Sequence, residues 1–192
     1  MYKRQRFRGW SPLIALQIEY SLLQRTVEGD LIPMAREMGM GVTPWSPLKS
    51  GVLSGKYTRA NHGKVEAGRG QWVNTSLTDR TYDIIDAVAD VARQVDSTPA
   101  RVALAWVQGR PGVSSTIIGA RTLAQLDDNL AALELVLPAG ARAKLDEISQ
   151  PKLAFPHDFL KNGGPFGYGG TTINGESFAV WPASPQKDED RY

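Results

Sequence analysis

The segment Met40-Gly41-Val42-Thr43-Pro44-Trp45-Ser46-Pro47-Leu48 reads as a short strand over Met40 to Trp45, closed by Pro47. Upstream of it, residues 28–38 (EGDLIPMAREM) place Leu31, Ile32, Ala35 and Met38 at helical spacing, and Gly39 and Gly41 end the run. Further back, residues 13–18 (LIALQI) form a mostly apolar stretch behind Pro12. That is the pattern of a buried strand, with Gln17 its single polar member. The order is strand, helix, strand.

Downstream the alternation continues. Residues 79–95 predict a helix, with Asp79 as its cap and Ile84, Ile85, Val88, Val91, Ala92 and Val95 as one apolar stripe. Thr98-Pro99 opens another helix to residue 108, with Thr98 at the N-cap and Val102, Leu104, Ala105 and Trp106 as core candidates. After a break at Gly109 to Gly112, Ser115-Thr116-Ile117-Ile118 reads as a third strand ending at Gly119. Thr122 caps a helix over 123–133, and Pro138 starts a last one to about Ile148. Strands alternating with helices argue an α/β fold with a parallel sheet. A complete (β/α)8 barrel takes about 250 residues. With 192 residues and three strands, the expectation is a partial TIM barrel, roughly its last three strands with their helices. From Phe155 the chain turns rich in Gly and Pro, from Gly163-Gly164 to Pro185, and 155–192 reads as an irregular loop and tail.

Composition narrows the function classes. Twenty-two Lys+Arg against 20 Asp+Glu leave a formal charge of +2, which gives no electrostatic reason to expect nucleic acid or an anionic membrane as partner. The absence of Cys excludes disulfides, thiolate catalysis and Cys-ligated metals. His62 and His157 lie far apart without a ligand pattern, so no metal site is expected. No apolar run is long enough for a membrane span, and the basic start from Met1 to Trp10 lacks the apolar core of a signal peptide. A cytoplasmic protein is the default expectation.

Two glycine motifs fail on inspection. Ser50 to Tyr57 contains Gly55-Lys56, but Ser50 replaces the first glycine of a phosphate loop and Tyr57 its Ser/Thr. Gly39-Met40-Gly41-Val42-Thr43-Pro44 starts like a dinucleotide fingerprint, yet ends on Pro44 and leads into a strand. What survives is polar residues at the strand ends: Gln17, Trp45-Ser46-Pro47-Leu48, and Gly119-Ala120-Arg121-Thr122. In parallel α/β folds those ends form the ligand face, and a helix start with an arginine suits a phosphate. Each residue also has an ordinary reading. Gln17 could be a bonded core amide, Trp45 a packing aromatic, and Arg121 and Lys56 solvated cations. Gln125 and Asn129 could simply face water.

Taken together and in order, three segments resemble the C-terminal half of an aldo-keto reductase. They are Leu16-Gln17-Ile18-Glu19-Tyr20-Ser21-Leu22, then Gly41 to Leu48 with Ser50-Gly51 and Gly55-Lys56-Tyr57, and Ile117 to Thr122 with Gln125 to Leu130. The similarity runs from about Arg8 to about Leu160, leaving 1–7 as a leader unlike the family, 8–154 as the barrel half and 155–192 as the tail. The resemblance implies NADPH as cofactor. Gln17 would bond the nicotinamide carboxamide and Trp45 would stack on the ring. The segment Ser46 to Ser50, through Ser46, Pro47, Leu48 and Ser50 in particular, would wrap the pyrophosphate with Lys56. Gly119, Arg121 and Gln125 would hold the 2′-phosphate, and Asp128 and Asn129 the adenine. An arginine at the 2′-phosphate favours NADPH over NADH.

The family's catalytic Asp, Tyr, Lys and His come from the first half of its barrel, which this chain does not contain, so no catalytic residue is assigned. Tyr20 and Lys56 belong to cofactor-side motifs. The resemblance implies a reading frame that starts inside the barrel, inactive alone, with a carbonyl substrate only if the missing half is supplied. Open sheet edges would favour self-association. Two other readings stand beside it: a non-catalytic NADPH-binding module like the channel-associated β subunits that share the fold, and a gene-fragment product without its own function. Phe155, Phe159, Phe166 and Tyr168 either line a pocket wall or pin the tail.

Overall fold

A computed structural model of the chain describes residues 2–61, 73, 76–173, 175–185 and 189. His62 and the tail residues Lys187, Asp188, Asp190 and Arg191 lie outside them. The chain divides into two compact units, Met1–Pro151 and Lys152–Tyr192.

The first unit opens with helix α1 (Tyr2–Arg8) and then forms the expected strand, helix, strand. Strand β1 (Ala15–Glu19), helix α2 (Leu31–Glu37) and strand β2 (Gly41–Trp45) follow in order. The strands pair in parallel, Ala15 opposite Gly41 through Glu19 opposite Trp45. Helix α2 is shorter than the spacing suggested, and Pro33 is the reason. Proline lacks an N–H, so it fits only in the first turn, where the helix leaves its N–H groups unpaired. A helix begun at residue 28 would have placed it beyond that turn. The chain instead makes a 3-10 turn at Thr26–Glu28 and starts α2 at Leu31. Ile32 and Ala35 are buried, whereas Leu31 and Met38 stay exposed.

The third strand expected at residues 115–118 does not form as a regular strand. Only Val113 makes a bridge, parallel to Val42. The cause lies in β2. Gly41 spends its N–H on Ile14 of the β1 side (3.0 Å), while Val42 donates to Gly112 (2.9 Å) and accepts from Ser114 (2.9 Å). The next donor toward the third segment should be residue 44, and Pro44 has none. The ladder lapses there and resumes one residue out of step, with Ile117 donating to the Pro44 carbonyl at 2.8 Å. Thr116 turns its N–H to the Gln108 side chain at 3.2 Å instead.

Among the described residues, the long helices that follow are α3 (Asp79–Gln94), α4 (Pro99–Gln108), α5 (Leu123–Ala131) and α6 (Ala139–Ile148). The cap of α3 is Thr78 rather than Asp79. Its backbone is extended, and its hydroxyl accepts from the Thr81 N–H, leaving Asp79 as the first helical residue. Thr98 caps α4 and Thr122 caps α5 in the same way. Helix α3 packs on α4 and α6, and α4 packs on α5. The core holds the stripe Ile84, Ile85, Val88, Val91 and Ala92 with Val102, Trp106 and Leu145.

A charged network runs through that core. The Trp106 indole donates to Asp146 (2.9 Å), and the guanidinium groups of Arg25 and Arg110 lie 5.1 and 4.8 Å from its ring centroid. Arg25 grips Glu28 through two bonds of 2.9 Å and also donates to Asp146 O and Ser149 Oγ. The Tyr20 hydroxyl donates to Glu28 (2.6 Å) and accepts from Arg110 (3.0 Å). The network joins the end of β1, the 3-10 turn, α4 and α6. Burial, with the Glu28 carboxylate beside it, pushes the Tyr20 hydroxyl far above its ordinary range.

The second unit is more regular than an irregular tail. It contains helices α7 (His157–Asn162) and α8 (Gly164–Tyr168) and an antiparallel pair, β3 (Thr172–Ile173) with β4 (Glu176–Ser177). Gly164 is required by packing, since a Cβ there would sit 2.5 Å from the Phe178 ring. Phe155, Phe159, Phe166 and Tyr168 are exposed. They pair within the unit: Phe155 with Phe159, Phe166 edge-on to Trp181, and Tyr168 with Phe178.

Candidate functional site

Strand alternation sorts the small sheet into two faces. Leu16, Ile18 and Val42 pack toward the helices. Ala15, Gln17 and Glu19 of β1 therefore share the opposite face with Gly41, Thr43 and Trp45 of β2. On it, Gln17 stands opposite Thr43, and Glu19 opposite Trp45. Gln17 is thus in the middle of β1 rather than at its end, and it is exposed. The reading as a bonded core amide does not hold: its carboxamide has no partner among the described residues. Trp45 is 41% exposed, so its ring is available as a platform rather than consumed in packing.

After Trp45 the backbone takes an unusual course. Ser46, Lys49 and Ser50 have φ of 52°, 46° and 56°, and Gly51 and Gly55 both have 88°. Left-handed conformations cost an ordinary residue about 1–2 kcal/mol each, and such strain concentrates at sites of function. Internal bonds hold the loop: Lys49 N–H to Ser46 O (2.8 Å), Gly51 N–H to Leu48 O (2.9 Å) and Val52 N–H to Lys49 O (3.1 Å). The N–H groups of Leu48 and Ser50 have no partner among the described residues, which leaves them free to bind an anion. Pro47 and Leu48 shape the turn between them. The Lys56 ammonium lies beside the loop, 3.3 Å from where a Cβ on Gly51 would be, and 5.0 Å from the Tyr57 ring. Tyr57 buries its hydroxyl without a partner among the described residues, and burial pushes that group above its usual value.

The third polar segment is carried in by the interrupted ladder. Two residues past the Ile117–Pro44 bond comes Gly119, where a Cβ would meet nothing within 4 Å. No packing inside the described residues demands a glycine there. Arg121 is exposed. Gln125 accepts from the Arg121 N–H at 2.9 Å and donates its own N–H to the Thr122 hydroxyl, a variant of a capping box. Asn129 is buried, not solvent-facing, and its amide reaches Gly119 O at 3.5 Å. Asp128 is committed to α4, accepting from Arg101 (2.7 Å) and from Thr98 (3.2 Å).

Sequence reasoning places Lys49 only within the Ser46-to-Ser50 segment and gives Glu19 no role, yet the structure pairs the two in the middle of this region. Lys49 of the loop donates to Glu19 of β1 at 2.5 Å. The spacing did hold a signal, because Glu19 lies two residues past Gln17 and so shares its face. Among the described residues, no group of three or more His, Cys, Asp or Glu could hold a metal ion, and no helix is long and apolar enough to cross a membrane.

Comparison with known proteins gives this arrangement a family. The model of the aldo/keto reductase family matches residues 3–150. An uncharacterized oxidoreductase, YrpG, of Bacillus subtilis is 36% identical over 146 residues, 76% of this chain and 42% of its own. A putative voltage-gated potassium channel subunit beta of Schizosaccharomyces pombe is 38% identical over 146 residues, 70% of this chain and 42% of its own. Protein tas of Escherichia coli is 32% identical over 142 residues, 40% of its length. The chain spans about two fifths of the curated relatives it matches. The match takes in β1, the post-β2 loop and α5 together, and the chain belongs to the aldo/keto reductase family.

Proposed function

We propose that this chain is the NADPH-binding, C-terminal portion of an aldo-keto reductase, a partial (β/α)8 barrel that reduces a carbonyl only with the family's earlier strands supplied. The observation that carries the reading is the post-β2 loop, where left-handed residues leave two amides beside Lys56 without a partner among the described residues, next to an open Trp45 and a Gln17 that likewise has none among them.

The residues present fit the dinucleotide. Gln17 can give and take hydrogen bonds with a carboxamide, and the Trp45 face suits a flat ring. Ser46, Pro47, Leu48 and Ser50 present backbone amides and hydroxyls to a diphosphate, with Lys56 supplying charge. Arg121, at the start of α5 with Gly119 open beside it, suits a terminal phosphate. In this reading Gln125 shapes that turn through its bond to Arg121. Asn129 and Asp128 flank the adenine, although Arg101 competes for the Asp128 carboxylate. When bound, the dinucleotide supplies a hydride; the chain's own residues fix the nicotinamide ring and neutralise phosphate.

A second reading has its own support in the 38% identity to a putative potassium channel subunit beta: an NADPH-binding module without turnover. Both readings place the chain in the cytoplasm, where NADPH is available. Both also leave the outer edge of β1 unpaired among the described residues, a place for the complementing half or a second copy to add.

Tryptophan fluorescence titrated with NADPH and NADH tests the reading, with Trp45→Phe alongside. Saturable quenching at micromolar NADPH, weaker with NADH and reduced in the variant, is expected. A Kd of about 1 μM corresponds to about −8.2 kcal/mol. No saturable signal would contradict NADPH binding by this chain. Aldehyde-dependent NADPH oxidation after adding a polypeptide carrying the family's earlier strands separates the enzyme from the silent module.

A further inference from the structure

We propose that Glu19 and Lys49 are positioning residues that latch the post-β2 loop in its left-handed, anion-ready conformation. The inference rests on the cofactor reading above and adds Glu19, to which it gives no part, and a specific part for Lys49, which it places only within the loop.

The argument starts from cost. Three non-glycine residues of this loop, Ser46, Lys49 and Ser50, hold positive φ, and a five-residue turn with such geometry relaxes unless something outside it over-determines it. The loop's own hydrogen bonds are short-range, each spanning three to five residues from Lys49 to Ser54. The Lys49–Glu19 bond is different, because it ties the loop to a strand thirty residues earlier. It is also sheltered, with the Lys49 and Glu19 side chains 29% and 23% exposed. Glu19 is the last residue of β1 and stands opposite Trp45, the last residue of β2. The pair therefore bridges the ends of both strands across the face that carries Gln17 and Trp45. A lysine bound in this way is held off the anion path, leaving Lys56 and the amides of Leu48 and Ser50 to meet a phosphate. Salt weakens a partly sheltered pair less than an exposed one.

The test is hydrogen exchange by mass spectrometry on the full chain. It compares wild type, Glu19→Gln, Lys49→Arg, and the charge swap Glu19→Lys with Lys49→Glu. Glu19→Gln should speed exchange of the bonded amides of Lys49 and Gly51 to Ser54 by roughly five-fold, the loss of one partly sheltered ion pair, while residues 102–107 of α4 keep their rate. Lys49→Arg and the swap should hold or restore protection. Unchanged loop exchange in Glu19→Gln would overturn the latch. So would acceleration that extends to α4, which would make the pair a general support. The NADPH Kd, read by tryptophan quenching, should rise by a similar factor in Glu19→Gln, and an unchanged Kd beside faster exchange would overturn the positioning role. A wild type that binds no NADPH would overturn the cofactor reading as well as that role, while the exchange comparison would still decide the latch.

Discussion

Neutralising Glu28 probes the charged network that fixes β1 and α4, and through them the site. Glu28→Gln keeps the shape and removes the charge. The carboxylate accepts two bonds of 2.9 Å from Arg25 and one of 2.6 Å from Tyr20, and Arg110 approaches to 3.5 Å. With Gln, two guanidinium groups would share Asp146 alone, and an amide NH2 would face a cation. Breaking a fully buried ion pair costs about 3–5 kcal/mol. Glu28 is 21% exposed, so a loss of about 2–3 kcal/mol is expected, about 4–12 °C in Tm for a unit of this size. The pH dependence gives a second handle. Burial alone would raise the Glu28 carboxyl above its ordinary 4.5, but bonds from Arg25 and Tyr20 outweigh it and hold the group lower. A depressed carboxyl stabilises the fold above its unfolded value, and the contribution vanishes as pH falls through the folded one. The gap between wild type and Glu28→Gln in urea unfolding should therefore be full at pH 7 and shrink as pH falls below the carboxyl's ordinary 4.5. A variant within about 0.5 kcal/mol of wild type at pH 7, or a gap independent of pH, would refute the reasoning.

Three further outcomes follow from the same geometry. Thr98→Ala removes both the α4 cap and a donor to Asp128, and should cost about 1–2 kcal/mol in urea unfolding. Leu145→Ala empties a fully buried position between α6 and α3, with an expected loss of about 2–5 kcal/mol. Gly41→Ala would push a Cβ to 2.4 Å from Ser114 Oγ and 3.1 Å from its Cβ. It should lower Tm, and adding Ser114→Gly should recover most of the loss.

The helices were legible because their signals are local. Thr98-Pro99 and Thr122 announce their own caps, and the Ile84-to-Ala92 stripe announces its own face. The third strand was misread because its fate depends on a distant residue: Ser115 to Ile118 is strand-like, but Pro44 withholds the bond that would register it. Pro33 similarly decided where α2 could start. At the site, Gln17 and Trp45 stand out in the sequence as residues of two strands, yet only the register puts them on one face and shows that face to be open. The left-handed φ of Lys49 carries no sequence mark, and for its bond to Glu19 the spacing says only that Glu19 shares the face of Gln17. Asp128 shows the reverse limit: a residue that motif matching assigns to a ligand already has a partner in Arg101.

Hydrogen exchange of the chain with and without saturating NADPH addresses the central claim most directly, that separated segments form one dinucleotide site. The account predicts coincident protection of residues 46–56 and 117–125, with the outer face of α3 unchanged. Protection of neither segment, or of one without the other, would contradict it.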